Sequence, residues 1–202
     1  AAGEVASVID ELKEIRALRQ QRYGDDDPRT MAVTLDWVEA RIVAGDASAD
    51  IPGLLADVIA RWQARNEADA MIPLYARLLQ VRWLLGHGDS QAALDELDWL
   101  VRHLDKLPAA SKPTLSSLRA WASRLHDEPV AAIEAGEAAL AEHRRWLGDA
   151  HPRTAMSALI LARTLRSHDE AARAVKLEET WRPVFDRGFP DDSAFRRQLP
   201  EG

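Results

Sequence analysis

Gly148-Asp149-Ala150-His151-Pro152-Arg153-Thr154 repeats the earlier stretch Gly24-Asp25-Asp26-Asp27-Pro28-Arg29-Thr30 at five of seven positions, 124 residues downstream. Each copy joins a Gly, suited to the end of a helix, to a Pro that fits the first turn of the next. Three units of about 41 residues fit that offset, a period typical of helical repeats. Two further boundaries are then expected between the copies. Ser111-Lys112-Pro113-Thr114 supplies one, while Ala70-Met71-Ile72-Pro73 keeps only the Pro.

A second series runs in step with the first. Gly45-Asp46, Gly88-Asp89, His126-Asp127 and His168-Asp169 each close one helical pattern and open another, their Asp residues 43, 38 and 42 apart. Gly or His suits a helix C-terminus, and Asp suits the N-cap of the helix that follows. Between these marks the chain reads as nine helices, near 4–22, 28–44, 51–66, 71–86, 90–106, 113–125, 129–147, 152–167 and 170–187. Pro28, Pro52, Pro113, Pro129 and Pro152 stand near helix starts, where the missing N–H has no partner to lose. Leu94, Leu97, Val101 and Leu104 form one apolar stripe, Leu115, Leu118, Ala122 and Leu125 another, and Leu54, Val58 and Trp62 a third. No segment alternates with a period of two.

Composition agrees with helix. Ala (35) and Leu (25) outnumber Val, Ile and Thr (25 together), and small or unbranched side chains lose little rotamer freedom in a helix. With 29% charged and 47% hydrophobic residues, the chain is globular rather than disordered. The absence of Cys excludes a disulfide scaffold and a thiolate centre, and makes a cytoplasmic home the simplest expectation. A net charge of −7 disfavours nucleic-acid binding. No apolar run approaches the roughly 20 residues of a membrane span. The first residues, Ala-Ala-Gly-Glu-Val, have no signal-peptide pattern. They also lack an initiating Met, so the chain reads either as a trimmed one or as a piece of a longer protein. Arg exceeds Lys 22 to 4, a bias that GC-rich coding explains as readily as forked recognition of carboxylates.

Seven Trp fall about one per helix, at 37, 62, 83, 99, 121, 146 and 181, and most are expected to pack within or between repeats. His87, His126 and His168 recur at the turns, which favours helix capping over catalysis. His143 and His151 lack metal-ligand spacing, and His103 with Asp105 lacks a third partner. Asp25-Asp26-Asp27 lacks the alternating ligands of a calcium loop and reads as a cap with dipole-favoured charges. No nucleophile elbow, phosphate loop or dinucleotide fingerprint occurs.

The helix pairs resemble tetratricopeptide repeats (TPR). Gly88-Asp89-Ser90-Gln91-Ala92-Ala93-Leu94 matches that family's turn and second-helix start, and His168-Asp169-Glu170-Ala171-Ala172 is a shorter version. The boundary from Leu147 to Thr154, with its second copy from Tyr23 to Thr30, is similar to the long variant of kinesin light chains and many bacterial regulators. This resemblance implies an all-α fold: a right-handed superhelix of about four helix pairs plus a leading helix over residues 1–189. Pro190-Asp191-Asp192-Ser193 breaks the helical pattern, so 190–202 reads as a tail or cap. The resemblance also implies a role in binding a protein or peptide along a concave face lined by the first helices, as the sensor or adaptor part of a bacterial regulatory protein. No enzyme activity, cofactor or metal is expected.

The candidate contact residues are polar or aromatic positions on the first helices: Trp37, Arg41, Tyr75, Arg82, Arg119 and Arg163. Several Arg in one groove suit an acidic peptide or a terminal carboxylate. Two other readings remain open at this level: a self-associating module that pairs as a homodimer, and a sensor of a small ligand or short peptide.

Overall fold

Pro28, Asp89 and Pro152 stand where helices begin in the computed structural model, which describes residues 2–68, 70–106 and 111–189. The tail expected over 190–202 lies outside the described residues. Nine α-helices follow one another, and no strand occurs among the described residues. They are α1 (Ala2–Tyr23), α2 (Pro28–Val43), α3 (Asp50–Gln63), α4 (Met71–Gly86) and α5 (Ser90–Arg102). After a 3-10 turn at Leu104–Lys106 come α6 (Lys112–Leu125), α7 (Pro129–Leu147), α8 (Pro152–Arg166) and α9 (Ala171–Gly188). Two ends fall short of the sequence reading. α3 stops at Gln63 because Asn66 takes a left-handed conformation (φ 58°), and α5 stops at Arg102, before the 3-10 turn.

Each helix packs on its successor, and the first helices of the pairs also touch in series: α2 on α4, α4 on α6, α6 on α8. The second helices α3, α5, α7 and α9 do not pack on one another to a comparable extent. The first-helix layer is therefore the inner side of a curved stack, and the fold is an all-α solenoid. α4 shows how the stack is held. Ala76, Leu79 and Trp83 join a core with Leu35, Val38, Leu55 and Trp62 of α2 and α3. Leu74, Val81 and Leu85 join another with Leu97, Leu100, Leu115 and Leu118 of α5 and α6. A helix apolar on several faces is one that is covered on several faces. Farther on, small residues replace large ones: Ala120, Ala132, Ala135, Gly136 and Ala139 bring α6, α7 and α8 close together. A Cβ at Gly136 would lie 2.9 Å from Leu161 Cδ1.

The turns within pairs share one backbone device in a register that corrects the sequence reading. The left-handed residue is Gly45 or Gly88 in the first two turns, but Asp127 (φ 58°) or Asp169 (φ 61°) in the last two. The next residue in every case donates its N–H back to the final helical turn: Asp46 to the Arg41 carbonyl, Asp89 to Leu84, Glu128 to Ser123 and Glu170 to Leu165. This closes the helix by satisfying a terminal carbonyl. Asp127 and Asp169 thus stand in line with the glycines, not with Asp89. Asp89 does N-cap α5 by accepting the Ala92 N–H at 3.2 Å, whereas Glu128 and Glu170 precede α7 and α9 with no side-chain cap bond.

The two copies of the long boundary adopt one conformation. Gly24 and Gly148 both have φ 82°. Asp27 and His151 then N-cap α2 and α8, accepting the N–H groups of Arg29 (2.8 Å) and Arg153 (3.1 Å). Pro28 and Pro152 open the helices, and Thr30 and Thr154 are buried. At the middle boundaries Ala70 and Ser111 precede α4 and α6 without a side-chain cap bond. Trp62, Trp83 and Trp181 are buried and Trp37, Trp99 and Trp121 half-buried, while Trp146 is 47% exposed. Among the described residues no helix is long and apolar enough to cross a membrane.

Candidate functional site

On the inner side, where α4, α6 and α8 converge, the stack holds a cavity of about 100 Å³. From α6 it receives Thr114, Ser117, Leu118, Trp121 and Arg124, positions that recur at helical spacing along one face. From α8 it receives Arg153, Met156, Ile160 and Arg163, again one face. Arg82 of α4 and His143 of α7 complete the wall. Four arginines and no Asp or Glu line this cavity, in a chain whose net charge is −7.

The arginines are not neutralised from within. Arg82 alone has a carboxylate partner, Glu39 of α2 at 2.7 Å. The guanidinium groups of Arg124, Arg153 and Arg163 make no ion pair among the described residues. Arg163 Nη1 is buried with no hydrogen-bond partner. Burial first, and then the neighbouring Arg182 and Arg124, push the Arg163 pKa below its ordinary value, with Glu178 opposing. A desolvated donor without an acceptor is costly, and like charges held together add to the cost.

Sequence reasoning named two of the four arginines, Arg82 and Arg163. It missed Arg124 and Arg153, which sit near opposite ends of their helices. Their signal was the shared face: Ser117-Trp121-Arg124 on α6 and Arg153-Met156-Ile160-Arg163 on α8. The other candidates lie elsewhere. Tyr75 Oη donates a hydrogen bond to the same Glu39 that Arg82 meets, which joins α2 to α4. Burial, and then Glu39, raise the Tyr75 pKa, so the phenol stays protonated. The half-buried Trp37 indole lies under the guanidinium groups of Arg16 (5.4 Å) and Arg41 (4.6 Å). Arg41 is buried and committed to the fold. It donates to Asp46 at 2.6 Å and, as a fork, to both Asp50 oxygens at 2.9 and 2.7 Å. Ser48 and then Arg41 hold the Asp46 carboxyl at about 2. Arg119 pairs with Asp98 and ties α6 to α5.

Three histidines share one local role. Nδ1 of His87, His103 and His143 lies 2.8, 2.8 and 2.9 Å from the carbonyl oxygen four residues earlier. A carbonyl only accepts, so Nδ1 carries the proton in each. This bears on chemistry at His143, whose Nδ1 is also 2.9 Å from Ser157 Oγ. A ring nitrogen already donating to Ala139 cannot take the serine proton, so this pair is not an activated nucleophile. His126 instead faces Ser90 Oγ at 3.2 Å. Among the described residues no three His, Asp or Glu side chains gather closely enough to hold a metal ion. A second depression, between α7, α8 and α9, has its Arg173 already paired with Glu137 and Glu170.

No family model matches the sequence, and no curated protein matches it. Solved structures do. A putative kinesin light chain of Podosopora anserina with nearly identical TPR-like repeats superposes with a TM-score of 0.66, at 21% identity, over 92% of this chain and 89% of that one. A form of the same protein with a single substitution gives a TM-score of 0.68, also at 21% identity, over 92% of this chain and 88% of that one. Paired helices, touching first helices and left-handed turns at a repeating interval thus place this chain in the TPR-like helical-repeat fold.

Proposed function

We propose that this chain is a protein-interaction scaffold whose inner face receives an acidic segment of a partner protein, anchored at the cavity between α6 and α8. The carrying observation is the set Arg82, Arg124, Arg153 and Arg163 lining one concave cavity with no acid among them. The contact set keeps Arg82 and Arg163 from the sequence reading and adds Arg124 and Arg153. Tyr75 and Trp37 extend the surface along α2 and α4, and Arg119 lies on α6 beside Asp98. The setting proposed is the cytoplasm of a bacterium, with residues 1–189 as the sensor or adaptor array of a larger regulatory protein. The Cys-free, Arg- and Ala-rich composition supports this setting. No catalytic step is assigned, in keeping with the committed Nδ1 of His143.

Selection of displayed random peptides tests the reading. Native chain should enrich peptides rich in Asp and Glu, with affinity that falls as salt rises. The double variant Arg124→Glu/Arg163→Glu should bind those peptides at least about tenfold more weakly, the scale of 1.4 kcal/mol. Enrichment without acidic bias, or equal binding by a folded double variant, overturns the proposal.

A further inference from the structure

We infer that the cavity between α6 and α8 takes a phosphoryl group, carried on a side chain of the partner's segment. The inference rests on the acidic-segment reading and specifies its central contact. Charge is the first argument. A carboxylate carries one negative charge and is satisfied by one forked guanidinium. Three arginines without a carboxylate partner, Arg124, Arg153 and Arg163, line this cavity, together with Arg82, which is paired with Glu39. A phosphoryl group brings a charge of about −1.5 to −2 and three strong acceptor oxygens, enough for several guanidinium groups at once.

The unsatisfied donor is the second argument. Arg163 Nη1 is shut away from water and has no acceptor, so part of this guanidinium is desolvated before any ligand arrives. Thr114 and Ser117 add hydroxyls to the same wall. Size is the third. About 100 Å³ is room for roughly three waters, which suits the head of a ligand and not a whole nucleotide. The carrier then extends out of the cavity, and Trp121, Met156 and Ile160 of the same wall offer apolar contact and exclude water from the charges.

Calorimetric titration of the whole chain at pH 7.5 and fixed ionic strength tests this. The probes are phenyl phosphate, phenyl sulfate and phenylacetate: a tetrahedral dianion, a tetrahedral monoanion and a carboxylate on the same apolar body. Phenyl phosphate should bind at least about tenfold more tightly than either, and Arg163→Gln and Arg124→Gln should each remove that preference. Arg163→Lys, which keeps charge without the fork, should restore part of it, and Arg173→Gln on the outer side should leave it intact. Circular dichroism confirms that each variant folds. A selected acidic peptide with one Glu replaced by phosphoserine should gain about tenfold over its parent. Equal binding of the three probes, or no binding at millimolar concentration, overturns the inference; the acidic-segment reading stands if the selected peptides still bind through Arg124 and Arg163. Inorganic phosphate binding as tightly as the phosphopeptide removes the partner's segment from the assignment. Failure of the selected peptides as well removes both readings.

Discussion

An added methyl at Gly188 would sit 2.0 Å from Pro152 Cγ and 2.3 Å from Pro152 Cβ. The end of α9 and the start of α8 therefore touch through a residue with no side chain and a ring that cannot turn away. Gly188→Ala should destabilise the chain by about 1–3 kcal/mol, the usual cost of forcing atoms into a packed contact. In urea, the midpoint should fall with an unchanged slope; an unchanged midpoint would show that the helices separate freely there. Nothing in the local sequence marks this contact, because its two partners are 36 positions apart. Arg41 teaches the same lesson in reverse. Along the chain it reads as a groove residue, but the backbone turns at Gly45 and brings Asp46 and Asp50 onto its guanidinium.

At the scale of the helix, α7 couples the site to the fold through His143. Burial is the main cause that lowers its pKa; the hydrogen bond to the Ala139 carbonyl opposes it, and Arg153 and His151 add to the lowering. The folded state then binds its proton more weakly than the unfolded state does. Stability from this group is complete above the ordinary histidine value of about 6.5 and is lost as pH falls through it. Thermal midpoints measured from pH 7.5 down to 5.5 should drop, and a proton NMR titration should place His143 below the ordinary value. A normal or raised His143 titration would refute the burial argument. Helix positions were legible in sequence because Pro, Gly and apolar spacing act locally. The faces of α6 and α8 were legible in principle, as Ser117-Trp121-Arg124 and Arg153-Met156-Ile160-Arg163. That these two stripes look at each other depends on the tilt between pairs, which small residues such as Gly136 and Ala139 set by contact.

The whole molecule is a row of neighbours, and its stability is expected to be graded along the row. α4 is flanked by α2, α3, α5 and α6, whereas α1 packs on α2 and leaves Val8, Ile15 and Leu18 exposed at 48%, 41% and 65%. Hydrogen exchange should therefore run at least about tenfold faster at the α1 amides than at those of α4, since local opening costs less where fewer contacts break. Equal protection in both helices would mean one cooperative unit and would contradict the nearest-neighbour account.

The elements and their interval are written in the chain itself: helices in pairs, with repeated boundaries from Gly24 to Thr30 and Gly148 to Thr154. They follow from backbone preferences and periodicity, which need no partner farther than a turn away. The register of the turns and the company each Arg keeps come instead from packing. Asp127 could cap a helix or take the left-handed place of a glycine, and in the folded chain it takes the second. Arg41, Arg119 and Arg163 read alike along the chain, yet the first two meet carboxylates and the third does not, because the carboxylates come from other turns and helices.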